Sequence, residues 1–157
     1  MASSLEILNA AGGQFLRNAP VTVLNTPASQ SLASTTSTAI IWSTPVLDNY
    51  TAWGAGNPTR VTPKVAGWYE INGSVSFAAN ATGYRVAQIS KNGSTNQAQT
   101  STTNAGAVAN TVVQVTGLVQ FNGSTDYIEL VANQASGGAL ATTSSLLTSL
   151  SVQWVHA

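Results

Sequence analysis

The sequence has 157 residues, of which five are basic, five are acidic and none is cysteine, while 43% are hydrophobic. Charged side chains make up 6% of the chain, against roughly 25% in an average domain, and their signs cancel. This balance excludes the basic stripe of a nucleic-acid-binding protein and the polybasic patch that binds anionic lipid, and the lack of cysteine excludes disulfides and thiolate metal sites.

The first 38 residues are predicted to form an N-terminal anchoring arm and linker outside the main domain. Residues 21–24 are strand-like, and residues 27–38 are mostly Ser, Thr and Ala, which is typical of a polar linker. The alternative is a frayed terminus. Five apolar residues in two short patches are the candidate anchoring residues: Leu5, Ile7, Leu8, Phe15 and Leu16. Deleting residues 1–25 is therefore expected to leave a folded domain that no longer joins its assembly.

Residues 39–157 are predicted to form a β-domain, because their apolar residues recur with the period of two that is typical of half-buried strands. In residues 69–77 the odd positions are apolar or glycine and the even positions are polar. This phase continues through Asn72-Gly73, so the pair is predicted to lie within one strand, residues 68–77, rather than in a hairpin turn.

Further strands follow from the same pattern. Residues 127–132 are apolar on both sides apart from Glu129, which predicts a central strand covered on both faces. The remaining predicted strands are residues 39–43, 46–50, 84–90, 113–121 and 146–154. Asn92-Gly93 and Asn122-Gly123 stand where a strand pattern stops and are predicted to be turns. No window shows a capped helical period, so the sequence predicts an all-β, antiparallel β-sandwich or jelly roll.

Four landmarks in residues 39–157 resemble C1q/TNF-like domains and stand in that family's order. Gly67-Trp68-Tyr69 opens the long alternating strand, and Lys91-Asn92-Gly93 follows the next one. The segment from Gly123 to Tyr127 precedes a further strand, and residues 150–155 resemble the closing strand. The amino-acid sequence at residues 57–60 and 80–85 is more similar to the versions of this domain in bacteriophage virion proteins than to complement or cytokine domains.

The resemblance implies a ten-stranded jelly roll that assembles as a tight homotrimer, with apolar residues packed along the three-fold axis. Seven residues are expected to fill the core or the trimer contact: Trp68, Tyr69, Ile71, Phe77, Phe121, Tyr127 and Trp154. Some trimers of the family hold Ca²⁺ near the axis, and nothing in this sequence selects for or against such a site. A collagen-like stalk and cysteines are absent, which argues against an immune role.

The residues that an enzyme would need are missing. His156 is the one histidine, and because it lies next to the last residue we expect an exposed tail rather than the base of a Ser-His-Asp arrangement. Asp126 and Glu129 are three positions apart, which on a strand places their side chains on opposite faces rather than as an acid–base pair. Asp126 is instead expected to cap the turn before the strand. We therefore predict no catalytic residue, no metal ligand and no cofactor.

Two residues are candidates for contact with a partner or a glycan. Trp53 is followed by Gly54-Ala55-Gly56-Asn57 and is predicted to be an exposed ring in a loop. Arg85 is one of four cations in residues 60–91, which are either ordinary protection of strand edges or a small patch for a partner carboxylate or glycan. Arg85 is the best candidate of the four because it lies inside a predicted strand.

These observations predict a non-enzymatic bacteriophage virion protein, a homotrimeric decoration protein on the capsid surface. Its arm would dock on the major capsid protein or another virion protein, with no nucleic acid or membrane as partner. The N-terminus lacks the layout of a secretory signal, so the protein is expected to be made in the host cytoplasm. The alternatives are the tip of a tail fibre or spike that binds host-cell glycan, and a secreted bacterial adhesive domain. The short arm favours decoration.

Overall fold

The structure is a computed structural model, and it describes residues 19–25, 28–103, 108–143 and 147–157. The candidate anchoring residues Leu5, Ile7, Leu8, Phe15 and Leu16 lie outside the described residues, so their role stays a prediction. Within the described ranges the chain contains no helix that could span a membrane.

Eleven strands and no helix make up the regular structure of the described residues, which confirms the predicted all-β class. The strands are β1 (Val21–Asn25), β2 (Ser31–Leu32), β3 (Thr38–Ala39), β4 (Thr44–Asp48), β5 (Ala66–Phe77), β6 (Tyr84–Lys91), β7 (Thr95–Thr103), β8 (Thr111–Asn122), β9 (Ile128–Gln134), β10 (Leu140–Ala141) and β11 (Ser149–His156).

Two antiparallel sheets form a sandwich around one apolar core. The first has five strands in the order β4-β1-β11-β5-β8, and the second has four in the order β3-β9-β6-β7. β10 and β2 form a separate two-stranded pair. The longest pairing joins β5 to β8, from Ala66 opposite Asn122 to Phe77 opposite Thr111.

The alternating sequence of β5 explains its place in the sandwich. Tyr69, Ile71 and Gly73 face the core, whereas Glu70 and Asn72 are exposed. Because the alternation is unbroken at Asn72-Gly73, the prediction that this pair lies inside a strand is confirmed. The inward residues of the two sheets interdigitate, as sandwich packing requires.

The two predicted Asn-Gly turns behave as their residue types suggest. Asn92 and Gly93 have φ values of 54° and 76°, and Gly123 has a φ of 74°. Left-handed backbone of this kind is accessible to Gly and tolerated by Asn. Asn92-Gly93 joins β6 to β7, and Gly123 follows the end of β8. Both turn predictions are confirmed.

The predicted boundary at residue 38 is wrong, because β1 belongs to the domain. It lies between β4 and β11 in the five-stranded sheet, and its Leu24 is fully buried. β2 and β3 also fall in the segment that resembled a linker, and Leu32 of β2 is fully buried. Strands of two residues are too short to display alternation, so a Ser- and Thr-rich sequence concealed them.

Strand β7 was missed by the sequence pattern. Its sequence, TNQAQTSTT, has one apolar residue, Ala98, and it forms an edge of the four-stranded sheet. A polar edge strand has no apolar face to reveal it. The other predicted strands differ from their predicted bounds as well. For example, β4 begins at Thr44 rather than at residue 46, and β11 begins at Ser149 rather than at residue 146.

Strand β9 is covered on both faces, as predicted, but by its own chain. Glu129 and Val131 point away from the sandwich core and are each only 9% exposed in the single chain. The hydroxyl of Thr59 donates a 2.7 Å hydrogen bond to the Glu129 carboxylate. No second chain is therefore needed to cover this strand.

Candidate functional site

The outward side of the five-stranded sheet carries large apolar side chains that the single chain leaves exposed. Leu118 on β8 is 59% exposed, Val112 on the same strand is 39% exposed, and Trp68 on β5 is 38% exposed. Trp68 lies opposite Gln120, which makes it the diagonal neighbour of Leu118. Diagonal neighbours on a sheet are close enough for a large ring to reach. We call this surface the outer face.

The rest of the outer face is polar and almost without charge. Its described positions on β1, β5, β8 and β11 are mostly Ser, Thr, Asn, Gln and Val, and Glu70 is the charged residue among them. A depression of about 480 Å³ crosses these four strands between Val23, Asn72, Thr116 and Ser151. A surface of this composition can be buried against another protein with little loss of charge hydration.

The sequence pattern contains a signal for the outer face. Trp68 and Leu118 stand in the polar phase of alternating strands, where the neighbouring positions of that phase are Glu70, Thr116 and Gln120. A large apolar residue in the polar phase of a strand has no place in the core of its own domain. Trp68 and Leu118 accordingly remain on the surface of the single chain.

The seven residues predicted to fill the core or the trimer contact separate into three groups. Tyr69, Ile71, Phe77 and Phe121 are buried between the two sheets of a single chain. The rings of Tyr69 and Phe121 meet edge to face with their centres 5.4 Å apart. Trp68 points to the outer face, while Tyr127 and Trp154 lie at one end of the sandwich and are only partly buried.

Tyr127 and Trp154 are held by groups of their own chain. The guanidinium carbon of Arg60 lies 4.0 Å from the centre of the Tyr127 ring. The indole N–H of Trp154 donates to the carbonyl of Ala66 at 3.3 Å. Neither contact requires a second chain, so these two rings support the end of the sandwich.

Asp126 organises the end of the sandwich where two turns meet. Its carboxylate accepts hydrogen bonds from Asn92 Nδ2 at 2.9 Å and from the backbone N–H of Asn122 at 3.0 Å, and Lys91 Nζ lies 2.9 Å away. Hydrogen bonds from Asn92 and Lys91 hold the pKa of Asp126 below its ordinary value. The prediction that Asp126 caps its turn is confirmed.

Arg85 is fully buried, so the prediction that it is an exposed contact residue is wrong. Its Nη1 donates to the carbonyls of Thr82 and Tyr84, and its Nη2 donates to the carbonyl of Asn80. The guanidinium carbon lies 6.0 Å from the Phe77 ring centre, and burial lowers the pKa of the guanidinium. Arg85 therefore holds the turn between β5 and β6, a role that strand position alone could not reveal.

Trp53 is half-buried, which corrects the prediction of an exposed ring. The indole packs against the edge of the core, and its Nε1 donates to the carbonyl of Pro58 at 3.1 Å. Its backbone N–H donates to the Asp48 carboxylate at 2.9 Å. Whether the remaining surface of the ring meets a partner stays a prediction.

The carboxylates and the histidine do not converge. The Glu129 carboxylate is bonded to Thr59 and Arg60, and the Asp126 carboxylate forms an ion pair with Lys91. His156 is exposed at the end of β11. In the ranges that the structure describes, no three His, Asp or Glu residues approach closely enough to hold a metal ion. The geometry of these residues fits structural roles.

Comparison with known proteins supports the fold. No protein-family model matches the sequence, and the search of curated proteins finds no significant match. The chain is similar in structure to murine APRIL, in crystal structures at pH 5.0, pH 8.5 and pH 8.0, with TM-scores of 0.66, 0.66 and 0.67. The matches cover 87% of this chain and 99%, 98% and 98% of those chains, at 16%, 18% and 18% identity. The predicted C1q/TNF-like jelly-roll fold is thereby confirmed.

Proposed function

We propose that this chain is a non-enzymatic structural protein that assembles as a homotrimer through its outer face. The exposure of Leu118, which is 59% exposed beside Trp68, carries the proposal, because burying this apolar surface against another chain would be favourable. Trp68, the diagonal neighbour of Leu118, extends this apolar surface, and Val112 is a separate exposed apolar residue near the start of β8. The resemblance of the sequence to C1q/TNF-like domains supports three as the number of copies.

The near absence of charge on the outer face supports burial against identical copies. In a three-fold assembly a residue close to the axis meets the same residue of the other two copies, so charge near the axis would be repelled by itself. Glu70 is the charged residue among the described positions of this face. It lies opposite Leu118 on β8 and Gln153 on β11, and most of the other polar positions carry amides and hydroxyls. Such groups form hydrogen bonds across an interface without the desolvation penalty of ions.

Sedimentation equilibrium of the full chain tests the proposal. The expected mass is three times the 16.1 kDa of one chain at micromolar concentration. Leu118→Asp should shift the mass to that of the single chain while the circular dichroism stays unchanged. Ile41→Asp is the control, because Ile41 is 51% exposed but lies outside the five-stranded sheet. A wild-type monomer, or an unchanged mass for Leu118→Asp, would refute the proposed assembly.

At a finer level, we propose that the trimer decorates the capsid of a bacteriophage and is anchored there by residues 1–18. The amino-acid sequence at residues 57–60 and 80–85 supports this assignment, because it is more similar to phage virion proteins than to cytokines. The partner would be the major capsid protein or another virion protein. The alternative is the tip of a tail fibre that binds host glycan.

Immunogold electron microscopy of the phage particles distinguishes these placements. Antibody raised against the purified chain should label the capsid surface, and particles assembled without the chain should lose the label. Label confined to the end of the tail would refute decoration and would support the tail-fibre alternative. An absence of label on every particle would refute both virion roles.

A further inference from the structure

Among the described residues, the two most exposed basic side chains lie in one part of the molecule. The described residues include four of the five basic side chains. Of these, Arg85 is fully buried and Lys91 is paired with Asp126 at 2.9 Å. Lys64 is exposed, and no hydrogen bond or ion pair joins it to any described residue. The side chain of Arg60 is 41% exposed.

Lys64 and Arg60 line the same depression beside the indole of Trp53. This depression has a volume of about 220 Å³. Two glycines of the loop, Gly54 and Gly56, also line it, and a Cβ placed on either would find no heavy atom within 4 Å. The loop is therefore open to solvent at these glycines, and a ligand can approach there.

The guanidinium of Arg60 is oriented before any ligand arrives. It stacks on the Tyr127 ring at 4.0 Å, and its Nε lies 3.4 Å from Glu129 Oε1. No partner of its two Nη groups is found among the described residues, and a guanidinium has five N–H donors in a rigid fork. Four of these donors thus remain for an anion. The planar fork suits a carboxylate in particular.

The indole of Trp53 is also held in place before a ligand arrives, by hydrogen bonds. Its Nε1 donates to the Pro58 carbonyl, and its backbone N–H donates to the Asp48 carboxylate. A ring held by contacts on one side loses little freedom when a ligand covers its remaining surface. Three polar residues that can bond to hydroxyl groups line the same depression: Thr51, Asn57 and Thr62.

Two carboxylates are bonded to residues that line the depression but do not line it themselves. Asp48 accepts three hydrogen bonds, from Thr22 Oγ1 and from the backbone N–H groups of Ala52 and Trp53. Glu129 is only 9% exposed and is bonded to Thr59. Neither carboxylate lines the depression, whereas both cations do. The surface that a ligand meets is therefore positive.

We propose that this depression binds an acidic sugar residue. Its carboxylate would meet Lys64 and Arg60, its C–H face would pack on Trp53, and its hydroxyls would bond to the threonines and the asparagine. A volume of about 220 Å³ is below the ~300 Å³ at which pockets for drug-sized ligands begin, which fits one sugar residue rather than a chain. The proposal does not depend on the oligomeric state.

The test is an NMR titration of the ¹⁵N-labelled full chain with glucuronic acid and N-acetylneuraminic acid. Glucose serves as the neutral sugar and acetate as the bare carboxylate. The acidic sugars should shift the indole N–H of Trp53 and the amides of residues 51–64, with a Kd near the millimolar range. Lys64→Gln should weaken this binding about fivefold, because it removes one partly screened charge. Lys91→Gln changes the net charge equally and should leave the Kd unchanged.

The controls separate the proposed site from simpler explanations. Equal shifts with acetate would indicate an adventitious ion only and would overturn the proposal. Equal binding of glucose would overturn the role of the cations, and so would an unchanged Kd for Lys64→Gln. An absence of shifts at tens of millimolar acidic sugar would overturn the site altogether. Lys64 is exposed, so its substitution tests the charge without disturbing the packing of Trp53.

Discussion

Leu130 of β9 packs directly over Gly73 of β5, so that a Cβ on Gly73 would lie 2.6 Å from the Leu130 Cδ1. A second neighbour, the Cγ1 of Val115, would lie 3.2 Å away. The glycine is required here for space rather than for a left-handed backbone, because its φ is not positive. This contact joins the two sheets and explains why an Asn-Gly pair stands in the middle of a strand.

Gly73→Ala is expected to destabilise the protein by about 1–3 kcal/mol, the usual penalty for overpacking a core. Leu130 is fully buried and cannot move aside without displacing its neighbours. Urea unfolding measures the loss. Gly54→Ala is the matched control, because no heavy atom lies within 4 Å of its added Cβ. Equal stabilities of Gly73→Ala and the wild type would contradict the packing.

Arg85→Met is expected to lower the free energy of unfolding by about 1–3 kcal/mol, because it removes the donors of the Asn80, Thr82 and Tyr84 carbonyls. Relief of the buried charge opposes this loss, but three charge-assisted hydrogen bonds outweigh it. Lys64→Met, at an exposed cation, should stay within about 0.5 kcal/mol of the wild type. If Arg85→Met were as stable as the wild type, the desolvation penalty of the buried guanidinium would equal or exceed the stabilisation from its hydrogen bonds.

Asp126 should make stability depend on pH in the acidic range. Its pKa in the folded protein is lowered below the ordinary value of 3.8 by hydrogen bonds from Asn92 and Lys91. The stabilising contribution is therefore complete above that ordinary value and is lost as the pH falls through the lower, folded pKa. Unfolding free energies of the wild type and Asp126→Asn should differ at pH 7 and converge near pH 2. A difference that stays constant with pH is the contrary result.

Tyr69 should limit stability in the alkaline range. Burial raises the pKa of Tyr69 from 10.0 to about 12. Its contribution is complete below pH 10 and is lost as the pH rises toward 12, because the unfolded chain ionises first. Tyr69→Phe keeps the ring contact with Phe121 but loses the hydrogen bond to the Val65 carbonyl. The variant should be about 1 kcal/mol less stable at pH 7, and its stability should fall less between pH 9 and pH 11.

Truncation should separate the domain from the arm. A chain lacking residues 1–18 is expected to unfold at the same urea concentration as the full chain, since β1 stays intact. A chain lacking residues 1–25 loses β1 and the buried Leu24, leaving β11 without a neighbour on one side. Its stability should fall by more than about 3 kcal/mol. If the two truncated chains were equally stable, β1 would not contribute to the domain, and the boundary predicted at residue 38 would be supported instead.

Local pattern was sufficient for the all-β class and for the longest strands. The alternation of polar and apolar residues in β5 and β8 indicates which side of each strand faces water. The Asn92-Gly93 pair indicates a left-handed backbone that few other residues adopt. Both properties belong to neighbours in sequence. They could therefore be recognised without knowing what the strands pack against.

The tertiary structure alone decided which residues are buried by distant partners. Gly73 and Leu24 owe their environments to segments that are distant in sequence, and neither an Asn-Gly pair nor a strand in an apparent arm carries a local sign of them. The same holds for Lys64 and Arg60, which meet at one depression only once the loop that carries them is folded beside Trp53. Alternation tells which side of a strand is apolar, whereas the identity of the surface that covers it depends on contacts between residues far apart in sequence.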